Sequence, residues 1–227
     1  MIAENLNSVR ATLKEGVELV AVSKYHPVEE LQEAYDAGQR VFGESHVQEM
    51  VAKHEVLPED IRWHFIGHLQ TNKVKYMAGF VSLIHSVDSL KLLKEIDKQA
   101  RKVGRRIDVL LQLHVAEEET KFGFSFDEVL AMLDGEEWRT MEGVRIVGLM
   151  AMATNTDDEG QIANEFEAVR GLFDVVKSRF FSEEPSFREI SMGMSGDYLI
   201  AQEHGSTLVR VGSMIFGERD YSKPFSL

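Results

Sequence analysis

The sequence contains no cysteine. That excludes a disulfide framework and a thiolate nucleophile, and it fits a reducing compartment. Basic residues are scarce: 25 Lys and Arg face 38 Asp and Glu, a formal charge of −13. Bulk electrostatics therefore disfavours a nucleic acid or an anionic membrane as partner. No apolar run is long enough to span a bilayer, and the opening "MIAENLNSVRATLKEG" lacks an apolar signal core. The expectation is a cytoplasmic protein. There is no linker, low-complexity tract or obvious repeat. No G-x-G-x-x-G follows a strand, which weighs against an open dinucleotide-type sheet. No H-E-x-x-H is present, and no metal site is expected.

What remains is ordinary globular composition: 227 residues, 44% hydrophobic and 28% charged. Along it, apolar strand-like runs alternate with helical ones. "VELVAVSK" reads as a strand and "VEELQEAYDAG" as a helix stopped by Gly38. "RVFGES", "IRWHFIG", "VSLIHSV" and "IDVLLQLHV" follow as strands two to five, each leading into a helical stretch. In the helix after strand four, Leu90, Leu93, Ile96, Ala100 and Val103 recur at helical spacing. "VRIVGLMAMA" is the sixth strand, "FREISMG" the seventh and "TLVRVGSMIFG" the eighth. Between six and seven, Ile162, Phe166, Val169, Phe173 and Val176 share one helical face. Eight such units, with near-continuous apolar strands, predict an α/β protein: one (β/α)8 TIM barrel over residues 1–227, preceded by an extra N-terminal helix.

In such barrels chemistry gathers where the strands end. Strand one ends at Lys24, so a lysine closes a run of small and β-branched apolar residues. A lysine amine is a useful nucleophile when burial or a nearby cation depresses its pKa. "SMGMSGD", residues 191–197, and "VGS", residues 211–213, carry the small residues that let backbone N–H groups approach an anion. Ser195 adds a hydroxyl. An amine beside a phosphate site suits a phosphorylated aldehyde or a sugar phosphate. Singly, these glycines read rather as tight turns and Lys24 as a surface lysine; two such loops on adjacent strands bring the anion-site reading level.

Other constellations read as structure. His64 and His68 are four apart, but on a strand and turn that spacing does not share a face. "AEEET", residues 116–120, reads as a solvated loop and "KVGRR", residues 102–106, as a solvated helix end. "TNTDDEG" reads as helix capping. Of Met150, Met152, Met192 and Met194, strand alternation assigns half to the core.

Taken together, several segments resemble one family: the pyridoxal-phosphate homeostasis proteins, which share a fold with the N-terminal barrel of alanine racemase. They are "VAVSK" with Pro27, "FGE" with "VQE" at 42–49, "WHFIGHLQTNK" at 63–73, "GLMAMA" at 148–153, "SMGMSGD", and "VRVGSMIFGER" ending at Arg219. They span nearly the whole chain in order. The resemblance implies pyridoxal 5′-phosphate as cofactor, carried by Lys24 as an internal aldimine. It implies phosphate binding by Ser195, Gly212 and Ser213, and sets Arg210 against the pyridine nitrogen. An arginine there has no proton to yield, so the ring stays a weak electron sink. The pattern departs at Tyr25, where the family has Thr, at Ser45 for Asn, at His46 for an aromatic and at His68 for Pro.

A two-base racemase needs a second acid–base group opposite Lys24. The barrel uses the chain to about Phe216, which leaves no room for the β-rich domain that supplies it in alanine racemases. Tyr25, adjacent on the strand, points the other way. The reading is therefore a monomeric carrier without assigned catalytic residues. It holds pyridoxal phosphate for buffering or for delivery to apo-enzymes. A single-domain racemase is the rival reading, and a lysine aldolase acting on a sugar phosphate a third.

Overall fold

The computed structural model describes residues 1–115 and 122–218. The "AEEET" carboxylates and Arg219 lie outside the described residues. Eight strands form a closed parallel barrel: β1 (Glu18–Val22), β2 (Val41–Glu44), β3 (Arg62–Phe65), β4 (Leu83–Val87), β5 (Ile107–Gln112), β6 (Val144–Met150), β7 (Glu189–Met194) and β8 (Leu208–Val211). Each strand pairs with its sequence neighbours, and β8 closes on β1 with Val20 opposite Arg210. α1 (Ile2–Ala11) precedes β1. Then come α2 (Val28–Asp36), α3 (Val47–Val56), α4 (Val74–Met77), α5 (Leu90–Lys102), α6 (Phe126–Asp134), α7 (Glu159–Phe180), α8 (Tyr198–Glu203) and α9 (Ser213–Phe216).

Period-two alternation sorts the strand residues into two buried layers. Val20, Val41, Leu83, Leu110, Val147, Met150 and Leu208 pack together inside the barrel. Their neighbours Ala21, Phe42, Ile84, Val109, Ile146 and Val209 join the larger layer between sheet and helices. The helices supply the other side of that layer. α7 buries Ile162, Phe166, Val169, Phe173 and Val176, the face its spacing marks out. Each such side chain contributes about 1.5–3 kcal/mol on burial. α5 begins at Ser89, whose hydroxyl accepts the Leu92 N–H at 3.1 Å. α6 begins with a reciprocal capping box between Ser125 and Glu128. Losing either cap costs about 1 kcal/mol.

Three details differ from the sequence reading. The eighth strand stops at Val211. Gly212 O then accepts the N–H groups of Ile215 and Phe216 at 2.9 and 3.0 Å, which makes a helical turn of "SMIF". A short apolar run looks the same in either conformation. Val103 sits at the C-cap of α5, 48% exposed, and is no part of its buried face. Arg105 is not merely a solvated helix end. Its guanidinium donates to the carbonyls of Ala78 and Val81 at 2.6 and 2.8 Å, where α4 gives way to β4.

Candidate functional site

β1 delivers Lys24, half-buried, just past its last residue. Ser23, Lys24, Tyr25 and His26 form a turn closed by the His26 N–H on the Ser23 carbonyl at 3.1 Å. Tyr25 has φ +67°, while Lys24 is not in the left-handed region. Positive φ at the third residue alone is the pattern of a type II turn, which normally places glycine there.

On the neighbouring strand β8, Arg210 is buried. Its Nη1 donates to Ser191 Oγ at 2.5 Å and its Nη2 to the Ala151 carbonyl at 3.1 Å. Burial lowers its pKa to about 10, against the attraction of Asp197, so it remains charged near neutrality. Beyond it, the loops after β7 and β8 meet: the Gly212 N–H donates to Ser195 Oγ at 3.3 Å. The β7 loop is held by Asp197, which accepts the Met194 N–H at 2.6 Å, and by Gly193. Gly193 has φ +99°, and a Cβ there would lie 2.7 Å from the Ala201 Cβ. Ser213 follows at the first position of α9.

The barrel interior below Arg210 is polar as well as aliphatic. His64 Nδ1 lies 2.9 Å from His85 Nε2, and His85 Nδ1 lies 2.8 Å from Ser191 Oγ. Both imidazoles are buried. Burial is the chief cause that lowers His64 to about 3 and His85 well below its ordinary value. His64 is thus a hydrogen-bonded strand residue, as expected, and His68 lies elsewhere. His68 stacks on Phe122 with centroids 3.7 Å apart and pairs with Asp88 at 3.3 Å. Among the described residues no group of three His, Asp or Glu is arranged for a metal ion.

A second polar cluster lies outside the sheet, under α3. Lys53 Nζ donates to the Ser23 carbonyl, Glu44 Oε1 and Glu49 Oε1, each at 2.7 Å. Ser23 Oγ donates to Glu44 Oε1 at 2.5 Å, and the Tyr25 N–H donates to Glu49 Oε1 at 2.6 Å. Lys53 and Glu44 are fully buried and Glu49 nearly so. Burial pushes Glu44 up to about 7, although Lys53 opposes the shift. The sequence reading missed Glu49 and Lys53. The available signal was an i,i+4 Glu–Lys pair on the same stretch of α3 as Met50.

The departures from the family pattern have places here. Tyr25 turns towards His46, with ring centroids 5.1 Å apart and the hydroxyl 3.4 Å from His46 Nε2. Ser45 lies against Gly67, where any Cβ would come within 2.4 Å of the Ser45 carbonyl oxygen. Met150 and Met192 are buried, whereas Met152 and Met194 are exposed, the expected division.

The fold and the residues at its mouth define a class. A family described as alanine racemase, N-terminal domain, matches residues 1–220. Alanine racemase from Clostridium difficile superposes with a TM-score of 0.75 at 14% identity, over 96% of this chain and 56% of its own, which speaks to fold alone. More similar proteins narrow the class. The pyridoxal phosphate homeostasis protein of Aquifex aeolicus is 40% identical over 204 residues, 89% of this chain and 87% of that one. Its namesake in Schizosaccharomyces pombe is 38% identical over 209 residues, 91% and 86%. PipY of Synechococcus elongatus, solved with PLP bound, has a TM-score of 0.87 at 36% identity, covering 96% of this chain and all of its own. The chain belongs to the pyridoxal phosphate homeostasis family, within the alanine racemase N-terminal fold. No helix among the described residues is long and apolar enough to cross a membrane.

Proposed function

We propose that this protein binds pyridoxal 5′-phosphate and serves its homeostasis, holding the cofactor for buffering or for delivery to apo-enzymes. The observation that carries the reading is one juxtaposition. A half-buried lysine leaves β1 at the same mouth where β8 supplies a buried arginine and where Ser195 meets Gly212. The donor set fits the group: an amine for an aldehyde, hydroxyl and backbone N–H donors for a phosphate, and a guanidinium for a ring nitrogen. When bound, the cofactor supplies an aldehyde with which the Lys24 amine condenses, forming a Schiff base and releasing water. Ser195, Gly212 and Ser213 hold the phosphate. Arg210 donates towards the ring nitrogen and, having no proton to yield, restrains carbanion chemistry. PLP in the PipY structure supports this reading. We read the chain as one domain acting as a cytoplasmic monomer.

The test is an absorbance spectrum of purified protein with pyridoxal phosphate, before and after borohydride, with the labelled peptide identified. The label is expected on Lys24, and Lys24→Ala is expected to fold without it. A label on another residue, or none, overturns the reading. The racemase reading is the rival, with Tyr25, which stands beside His46 in the turn after β1, as its candidate second acid–base group. Exchange of the α-hydrogen of amino acids by the loaded protein, abolished by Lys24→Ala, would favour it.

A further inference from the structure

The buried charges under α3 act on the residues either side of Lys24. The Ser23 carbonyl accepts from Lys53 and the Ser23 hydroxyl donates to Glu44. The next anchor is the Tyr25 N–H on Glu49. Lys53 ties these anchors together, because its ammonium matches three donors to three acceptors at 2.7 Å. Between the two anchors stands one residue, Lys24. It occupies the second position of the turn, and the third is a tyrosine at φ +67°. A tyrosine does not favour that conformation unaided; surrounding contacts must impose it. Tyr25 and Glu136 are the non-glycine residues with positive φ among those described. Glu136 lies in a surface turn far along the chain. Tyr25 stands next to the candidate amine.

We propose that Glu44, Glu49 and Lys53 are positioning residues for Lys24: they clamp Ser23 and Tyr25, hold the turn in its type II form, and so set the direction in which the amine leaves the backbone. They act through the backbone. The proposal deepens the reading of Lys24 as the attachment point and rests on it. Its physical content is preorganisation. A flexible four-carbon side chain reaches an aldehyde faster when its Cα is fixed. The cluster should therefore govern how fast the aldehyde is attached more than how well its phosphate is bound.

The experiment mixes apo-protein with pyridoxal 5′-phosphate and follows the covalent chromophore by stopped flow. Inhibition by inorganic phosphate gives a separate reading of the anion site. Glu49→Ala is expected to slow attachment about tenfold or more while the phosphate inhibition constant stays within about twofold. Glu49→Gln retains an oxygen for the Tyr25 N–H and should stay within about threefold of the natural rate. Glycine accepts positive φ freely. Glu49→Ala combined with Tyr25→Gly should therefore recover most of the lost rate. Tyr25→Pro removes both the N–H and the positive φ while leaving Glu44, Glu49 and Lys53 bonded to one another, so it keeps the test open if Glu49→Ala does not fold. It too should be slow. Natural rates in folded Glu49→Ala or in Tyr25→Pro, or no recovery in the double variant, would overturn the proposal. Failure of the underlying reading looks different: borohydride would then label Lys24→Ala as strongly as the natural protein.

Discussion

His85 on β4 and Ser191 on β7 meet across the barrel axis, Nδ1 to Oγ at 2.8 Å. These strands are not neighbours in the sheet, so the contact crosses the interior. Arg210 donates into this chain at Ser191. A guanidinium only donates, so Ser191 Oγ accepts from it. Ser191 Oγ also shares a proton with His85 Nδ1, and His85 Nε2 shares one with His64 Nδ1, the two rings taking matched tautomers. Burial holds both imidazoles neutral. A barrel that could have been wholly aliphatic spends interior volume on supporting one arginine.

Ser191→Ala cuts that chain at its middle. Arg210 Nη1 and His85 Nδ1 each lose a partner in a place water does not reach. Leaving buried polar groups unmade costs about 1–3 kcal/mol each and more for a charged one. Urea unfolding should show a loss of about 2–4 kcal/mol. A loss below about 0.5 kcal/mol would mean that the bonds do not persist in solution.

Acid and base act on two different buried sites with opposite sign. His64 is held neutral, its pKa lowered from 6.5 to about 3. The stability it contributes is full above pH 6.5 and is lost as pH falls towards 3. Glu44 is raised from 4.5 to about 7, so its contribution is full below pH 4.5 and is lost as pH rises through 7. His85 shifts in the same direction as His64, so the histidines should prevail and stability should fall in acid. Glu44→Gln removes the opposing term. Its stability at pH 8 relative to pH 5 should exceed that of the natural protein by about 2 kcal/mol. Parallel stability curves for the two proteins would show that Glu44 does not titrate in this range.

The barrel was legible because its evidence is repeated eight times. An apolar strand followed by a helical stretch is a local pattern, and parallel closure follows from it. Ser195 and Gly212, nearly twenty residues apart in the chain, meet as the adjacency of strands seven and eight implied. The supports for these residues were not legible. Lys53 reads as an exposed helical lysine, yet it is fully buried, because the two carboxylates that neutralise it come from β2 and from its own helix. His85 looks like an ordinary strand histidine until a residue 106 positions away, Ser191, is brought against it. Long-range polar pairing leaves no periodic trace. The "SMIF" turn was missed for a related reason: a few apolar residues carry no period of their own.

Gly193→Ala tests the proposed phosphate loop without removing any polar group. The added methyl would lie 2.7 Å from the Ala201 Cβ and 2.8 Å from the Tyr198 Cα, in a residue held at φ +99°. The loop must shift, and Ser195 with it. We expect a stability loss of about 1–3 kcal/mol and weaker competition by inorganic phosphate for pyridoxal phosphate. Unchanged phosphate inhibition in a destabilised protein would separate the loop's strain from its binding role.

Two lysines bound to the same turn should respond to alanine in opposite ways. Lys24 is half-buried at the rim and adds little to the core. Lys24→Ala should therefore change unfolding free energy by less than about 1 kcal/mol. Lys53 is fully buried between two carboxylates. Lys53→Ala leaves those carboxylates without their counter-charge, a loss of about 3–5 kcal/mol at pH 8. The loss should shrink towards pH 5, because a proton bound to Glu44 then removes charge that the ammonium had balanced. Urea unfolding of both variants at the two pH values measures this. A Lys53→Ala deficit that does not shrink in acid would mean lost packing and carbonyl bonds dominate over charge.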